Sequence, residues 1–141
     1  MKNPNISKYK GNVETAFKNG DFRQIIVFPG LSSEFIKMIN SVQNKKEVKG
    51  NDKLPYNYTL LKIRSPFRIG EQQIKIFNIE NVINKNCFDE EKFKSLIINF
   101  CKNFKNSITA IPISGSLLQH YNKIESILEK NVIGAKFVII G

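Results

Sequence analysis

The chain has few of the residue types that build metal or nucleophilic centres: two cysteines, Cys87 and Cys101, and one histidine, His120, in 141 residues. There is no Cys-x-x-Cys pair, and tetrahedral zinc would need carboxylates to complete its ligand set, so neither a metal nor another cofactor is expected. Cys101 falls on the apolar face of a helical pattern and reads as a buried hydrophobe. His120, among Gln119, Tyr121 and Asn122, reads as a solvated surface imidazole. With no base placed near a serine or cysteine, a nucleophilic triad cannot be assembled. The eight glycines are scattered, which leaves no phosphate-cradling loop. No apolar run approaches the roughly 18 residues that span a bilayer, so no membrane partner is expected. The first five residues lack both the apolar core of a secretory signal and the arginine-rich character of a transit peptide. The expectation is a protein made where it works, or a chain whose targeting segment is missing.

Acidic residues are also in short supply. Against 22 lysines and arginines stand 12 aspartates and glutamates, for a net charge of +10. Lysine (19), asparagine (17) and isoleucine (21) dominate, as an A+T-rich genome favours, so part of the charge reflects codon supply. Placement is the better guide. Residues 45–75 hold eight of the basic residues, two of the three arginines and three acids, half the net charge of the chain. Arg64 and Arg68 flank Ser65-Pro66, and the planar guanidinium fork can hold two phosphate oxygens where lysine offers a point charge. A basic, aromatic-bearing loop between strands suits a phosphate backbone.

The length suits one core. Residues 1–20 are polar and read as a loose arm. Gln24-Ile25-Ile26-Val27-Phe28 reads as a buried strand stopped by Pro29-Gly30. Ser32 or Ser33 can cap a helix bearing Phe35, Met38, Ile39 and Val42. The basic excursion ends in the alternating strand Leu61-Lys62-Ile63-Arg64. A second alternating strand places Ile74 and Ile76 on one face and Gln73, Lys75 and Phe77 on the other. A helix opening between Asn86 and Asp89 carries Phe93, Leu96, Ile97, Phe100, Cys101 and Phe104 on one face. The acids Asp89, Glu90 and Glu91 serve its dipole. A strand over residues 108–113 follows, with Pro112 suited to an edge or bulge. Ser116 to Gln119 reads as a capping box for a helix with Leu117, Tyr121, Ile124 and Leu128 on one face, and residues 136–140 close the chain as a strand.

This order predicts an α+β protein, ferredoxin-like βαββαβ over residues 21–114, with a long basic hairpin and an extra C-terminal α-β unit over 115–141. Two helices would cover one face of an antiparallel sheet, leaving the other bare for a partner.

Gly50, Leu54-Pro55, Tyr58-Thr59-Leu60-Leu61, Arg64-Ser65-Pro66-Phe67 and Glu71-Gln72 follow in the order and nearly the spacing of a hairpin motif. In these residues the chain resembles the universal ribosomal protein ten of the small subunit. It departs from that family at Asn51-Asp52-Lys53, where the family is proline-rich, at Phe67, where the family has histidine, and in an apparent insertion of Lys62-Ile63. The C-terminal residues admit two registers: residues 115–141 as an extension, which keeps the core contiguous, or residues 123–141 as the family's final helix and strand.

The resemblance implies a structural, non-enzymatic constituent of the small ribosomal subunit. Its partners would be ribosomal RNA and neighbouring ribosomal proteins, with no small-molecule substrate. The compartment would be a ribosome of mitochondrial or bacterial type, the former preferred for its lineage-specific extensions. Lys45, Lys46, Lys49, Lys53, Lys62, Arg64 and Arg68 would neutralise phosphates beside Ser65, and Tyr56 or Tyr58 would stack on an unpaired base. For each of these the plainer reading is a solvated lysine or a tyrosine at the edge of the core. Two other classes stay open: a protein-only interaction module that docks through the bare sheet face, and a small phosphate-ester enzyme. The second would use Arg64 and Arg68 as its anion clamp, with Glu71 the one acid near in sequence.

Overall fold

The computed structural model describes residues 3–29, 33–80, 82–84 and 87–141. In chain order these form β1 (Ile6–Tyr9), α1 (Val13–Asn19), β2 (Gln24–Val27), α2 (Ser33–Ser41), β3 (Lys45–Val48), β4 (Tyr58–Arg64) and β5 (Glu71–Asn78). After these come β6 (Ile83–Asn84), β7 (Cys87–Phe88), α3 (Glu90–Asn103), β8 (Ile108–Pro112), a 3₁₀ turn (Gly115–His120), α4 (Tyr121–Asn131) and β9 (Lys136–Ile140). Seven strands make one mixed sheet in the order β1-β9-β8-β2-β5-β4-β3, and β6 and β7 pair separately. The five strands from β1 to β5 in that order run parallel, while β4 is antiparallel to both β5 and β3.

Helices lie on both faces. On one, α1 and α2 bury Val13, Ala16, Phe17 and Phe35 against Ile25, Leu61, Ile74 and Ile76. On the other, α3 and α4 bury Phe93, Ile97, Phe100, Ile124 and Leu128 against Ile26, Phe77, Ile111 and Phe137. A strand covered on both faces has no polar side to show, which is why Ile25-Ile26-Val27 is continuously apolar. The second layer is rich in rings: Phe77 meets Phe100 edge-on at 4.8 Å and Phe104 at 5.7 Å. Each phenylalanine buried there contributes about 1.5–3 kcal/mol by transfer from water.

Local chemistry sets the helix ends. Asn12 Oδ1 accepts from Thr15 N at 2.8 Å to open α1, which Gly20 closes at φ 67°, a left-handed conformation that costs glycine little. Asp89 Oδ1 accepts from Lys92 N at 3.0 Å, and Glu90 and Glu91 follow in the first turn of α3, as the dipole reading anticipated.

The mixed α and β class stands, but the arrangement differs from the expected antiparallel ferredoxin-like sheet. β2 runs parallel to both its neighbours, β5 and β8. The cause is β3: its short sequence Lys-Lys-Glu-Val makes the chain cross the sheet once more before β4, reversing the direction of every later strand. The face expected to be bare is covered by α1 and α2. Residues read as a loose arm supply β1, paired with β9, and α1, whose Val13, Ala16 and Phe17 are buried. The segment read as an appended α-β unit is integral, because β9 lies between β1 and β8.

β8 is central rather than an edge. Ile113 N donates to Ile140 O, so the Pro112 nitrogen faces the β2 side, where pairing has already ended at Ala110 and no ladder bond is lost. Gly30, Ser32 and Asn86, named as stop and cap residues, lie outside the described residues, as does the Ser116 side chain of the proposed capping box.

Candidate ligand crevice

The basic residues singled out in the sequence do not converge. Lys45 and Lys46 are exposed on edge strand β3, and Lys45 Nζ donates to Asn40 O at 3.2 Å. Lys49 and Lys53 are exposed in the loop beyond it. Lys62 is half-buried on β4, and Arg64 is the exposed last residue of that strand. Ser65 is buried, its hydroxyl donating to Asn19 O at 2.7 Å at the end of α1 and accepting from Phe67 N. Arg68 pairs with Asp21 at 3.3 Å. The seven residues of β4, about 20 Å of strand, separate Arg64, Ser65 and Arg68 from Lys49 and Lys53.

Nor are the tyrosines presented to a base. Tyr56 packs on Phe100 at 5.9 Å and its hydroxyl accepts from Asn99 Nδ2. Tyr58 packs on Phe77 at 4.9 Å with Lys75 Nζ over its ring at 5.5 Å. Both are residues of the core edge. His120, expected to be solvated, stacks on Phe88 at 5.3 Å and 19°, and its Nε2 is buried with no hydrogen-bond partner among the described residues. Cys101 is buried, as its helical position predicted, and Cys87 is exposed.

A different place gathers polar groups. The chain leaves the carboxyl end of β2 for α2 on one face, and the carboxyl end of the adjacent β5 for α3 on the other. Diverging connections of this kind open a crevice over the strand ends, where ligands of open α/β sheets bind. Here two cavities, of 750 and 380 Å³, meet over Glu47, Asn78, Ile79 and Glu80. Volumes of roughly 300–1,000 Å³ are usual for small-molecule sites.

The larger cavity lies between the loop carrying Pro55, Tyr56 and Asn57 and the first turns of α3, with Glu91, Lys92, Ser95 and Leu96. The smaller lies between α2, through Ile36, Ile39 and Asn40, and β3, through Lys45 and Glu47. The loop wall is pinned from several sides. Asn51 Oδ1 accepts from Lys53 N and Leu54 N, Asn57 Oδ1 accepts from Gly50 N, and Asn103 Nδ2 of α3 donates to Lys53 O.

At the junction, Asn78 Nδ2 donates to Thr59 Oγ1 at 3.3 Å, and Thr59 Oγ1 lies 3.0 Å from each oxygen of Glu47. The threonine has one proton to give, so the Glu47 carboxylate keeps acceptor capacity for a ligand. Glu80 and Glu91 add two more carboxylates, against the ammonium groups of Lys45 and Lys92. This crevice in a strongly basic protein is therefore locally acceptor-rich, and suits hydroxyl, amino or cationic groups rather than phosphate.

Thr59 entered the sequence reading only as a hairpin-motif residue and Glu91 only as a helix-dipole acid, while Glu47, Asn78 and Glu80 did not stand out. Twelve residues separate Glu47 from Thr59 and nineteen separate Thr59 from Asn78, and no motif links them. The available signal was positional: strand ends become candidates once the strands are known to be parallel. Among the described residues no three His, Cys, Asp or Glu side chains are grouped to hold a metal, and no helix is long and apolar enough to cross a membrane. No family model, curated protein or solved structure matches this chain.

Proposed function

We propose that this protein binds a small polar ligand, bearing hydroxyl or amino donors, in the crevice over the carboxyl ends of β2 and β5. The observation that carries this reading is the meeting of the two cavities over Glu47, Asn78, Ile79 and Glu80, where α2 and α3 depart to opposite faces. The Asn78–Thr59–Glu47 chain orients the carboxylate, and Ile79 and Leu96 offer apolar contact to the ligand body.

A melting-temperature screen against nucleosides, sugars, polyols and polyamines tests it. A ligand at a hundred times its Kd adds about 2.7 kcal/mol, a rise on the order of 10 °C for a chain of this size. The rise is expected to vanish in Glu47→Gln and Asn78→Ala. A library without a stabilising compound, or a shift that survives both substitutions, overturns the proposal.

The second reading is the structural constituent of the small ribosomal subunit, binding ribosomal RNA. The hairpin resemblance supports it, together with the exposure of Lys45, Lys46, Lys49 and Lys53 along one edge of the sheet. Its test is density-gradient sedimentation with and without RNase. Co-migration with the small subunit, lost on RNase treatment or on charge reversal at Lys46, Lys49 and Lys53 but kept in Asn78→Ala, favours it. Migration as a free protein sinks it.

A further inference from the structure

We propose that the outer surface of the α3–α4 pair is a docking groove for an acidic amphipathic helix of a partner protein. Two hollows of 470 and 410 Å³ lie along this pair, with Asn131 in the lining of both. The first is walled by Ile98, Cys101 and Ile133, and the second reaches Ile127. Ile98 and Ile133 are 44% and 77% exposed, unusual for isoleucines so close together on a surface.

Lysines rim the same hollows: Lys94, Lys102 and Lys105 from the α3 side, Lys123 and Lys130 from α4. The nearby acids are engaged. Glu90 reaches Lys123 at 3.9 Å, Glu125 reaches Lys8 at 3.3 Å, and Glu129 accepts from Asn3. Among the described residues, no carboxylate lies within ion-pair distance of Lys94, Lys102, Lys105 or Lys130.

Apolar side chains flanked by lysines, four of them without a carboxylate partner among the described residues, select the occupant. A nucleic acid would use the lysines but leave the isoleucines against phosphate and water, and the hollows offer no aromatic ring for base stacking. A helix with an apolar stripe flanked by glutamates or aspartates satisfies both the apolar side chains and the lysines. The fourteen residues of α3 span about 21 Å, enough for about four turns of a bound helix.

The test uses the full chain and three fluorescent probes of equal length: a synthetic amphipathic peptide with a leucine stripe and glutamate flanks, its scrambled counterpart, and a single-stranded RNA. Binding is read by anisotropy, and independently by an environment-sensitive dye on Ile133→Cys in a Cys87→Ser background. The striped acidic peptide is expected to bind, to shift the dye to a more apolar signal, and to weaken with salt. Lys102→Glu with Lys130→Glu should weaken it roughly tenfold or more without lowering the melting temperature, and the neutral pair Lys102→Gln with Lys130→Gln should fall between. No binding by the striped peptide overturns the proposal, as does equal binding by the scrambled peptide or RNA binding that depends on the same lysines.

Discussion

At the scale of single residues, Gly50 shows how a position can be required for reasons other than its φ. A methyl group there would stand 2.5 Å from Tyr56 N and 2.7 Å from Pro55 C, both backbone atoms that cannot rotate away. Gly50→Ala is therefore expected to displace the loop that walls the larger cavity and to cost about 1–3 kcal/mol, as overpacking does. Thermal unfolding together with loss of ligand response in the crevice checks it.

Tyr9 offers a pH signature. Its hydroxyl donates to Asp21 at 2.8 Å, and that hydrogen bond, with burial and the aspartate charge behind it, raises its pKa above 10.0. Because the folded value lies above the unfolded one, the stabilisation is complete below the unfolded pKa and is lost as pH rises through the folded one. Melting temperature should fall less steeply above about pH 10 in Tyr9→Phe than in the parent, and parallel curves would show that the pair carries no linkage.

At the scale of elements, periodicity was the reliable signal. α3 was legible because Phe93, Leu96, Ile97, Phe100 and Cys101 recur on one face, and all five are buried. β5 was legible through Ile74 and Ile76. β1, α1 and β3 were not, because a strand of four residues or a helix of two turns shows too few apolar positions to establish a period. These short elements are nonetheless structural. Deleting residues 1–20 strips β9 of one of its two neighbours and uncovers Ile25 and Phe35, so the shortened chain is expected to lose cooperative unfolding. A sharp calorimetric transition near the parent temperature would show that the arm reading was the better one.

At the scale of the whole molecule, charge is the dominant variable. With a net charge of +10 and three ion pairs among the described residues, the folded state carries unrelieved repulsion between its lysines. Screening shortens the reach of that repulsion to about 3 Å at 1 M salt, so melting temperature should rise with sodium chloride and level off. A fall across the same range would mean that attractive pairs outweigh repulsion.

Amphipathic stripes, strand alternation, the Asp89 start of α3 and net charge follow from residues near one another in the chain, and the sequence alone determined them; the helix expected to open at Ser116 instead begins at Tyr121, after a 3₁₀ turn over Gly115–His120. Strand direction, the covering of both faces and the crevice depend on how many times the chain crosses the sheet. That count turned on Lys45–Val48, an edge strand mostly exposed to water and so lacking an apolar pattern. Only the tertiary structure could bring Glu47, Thr59 and Asn78 together, because their proximity arises from strand pairing and not from spacing along the chain.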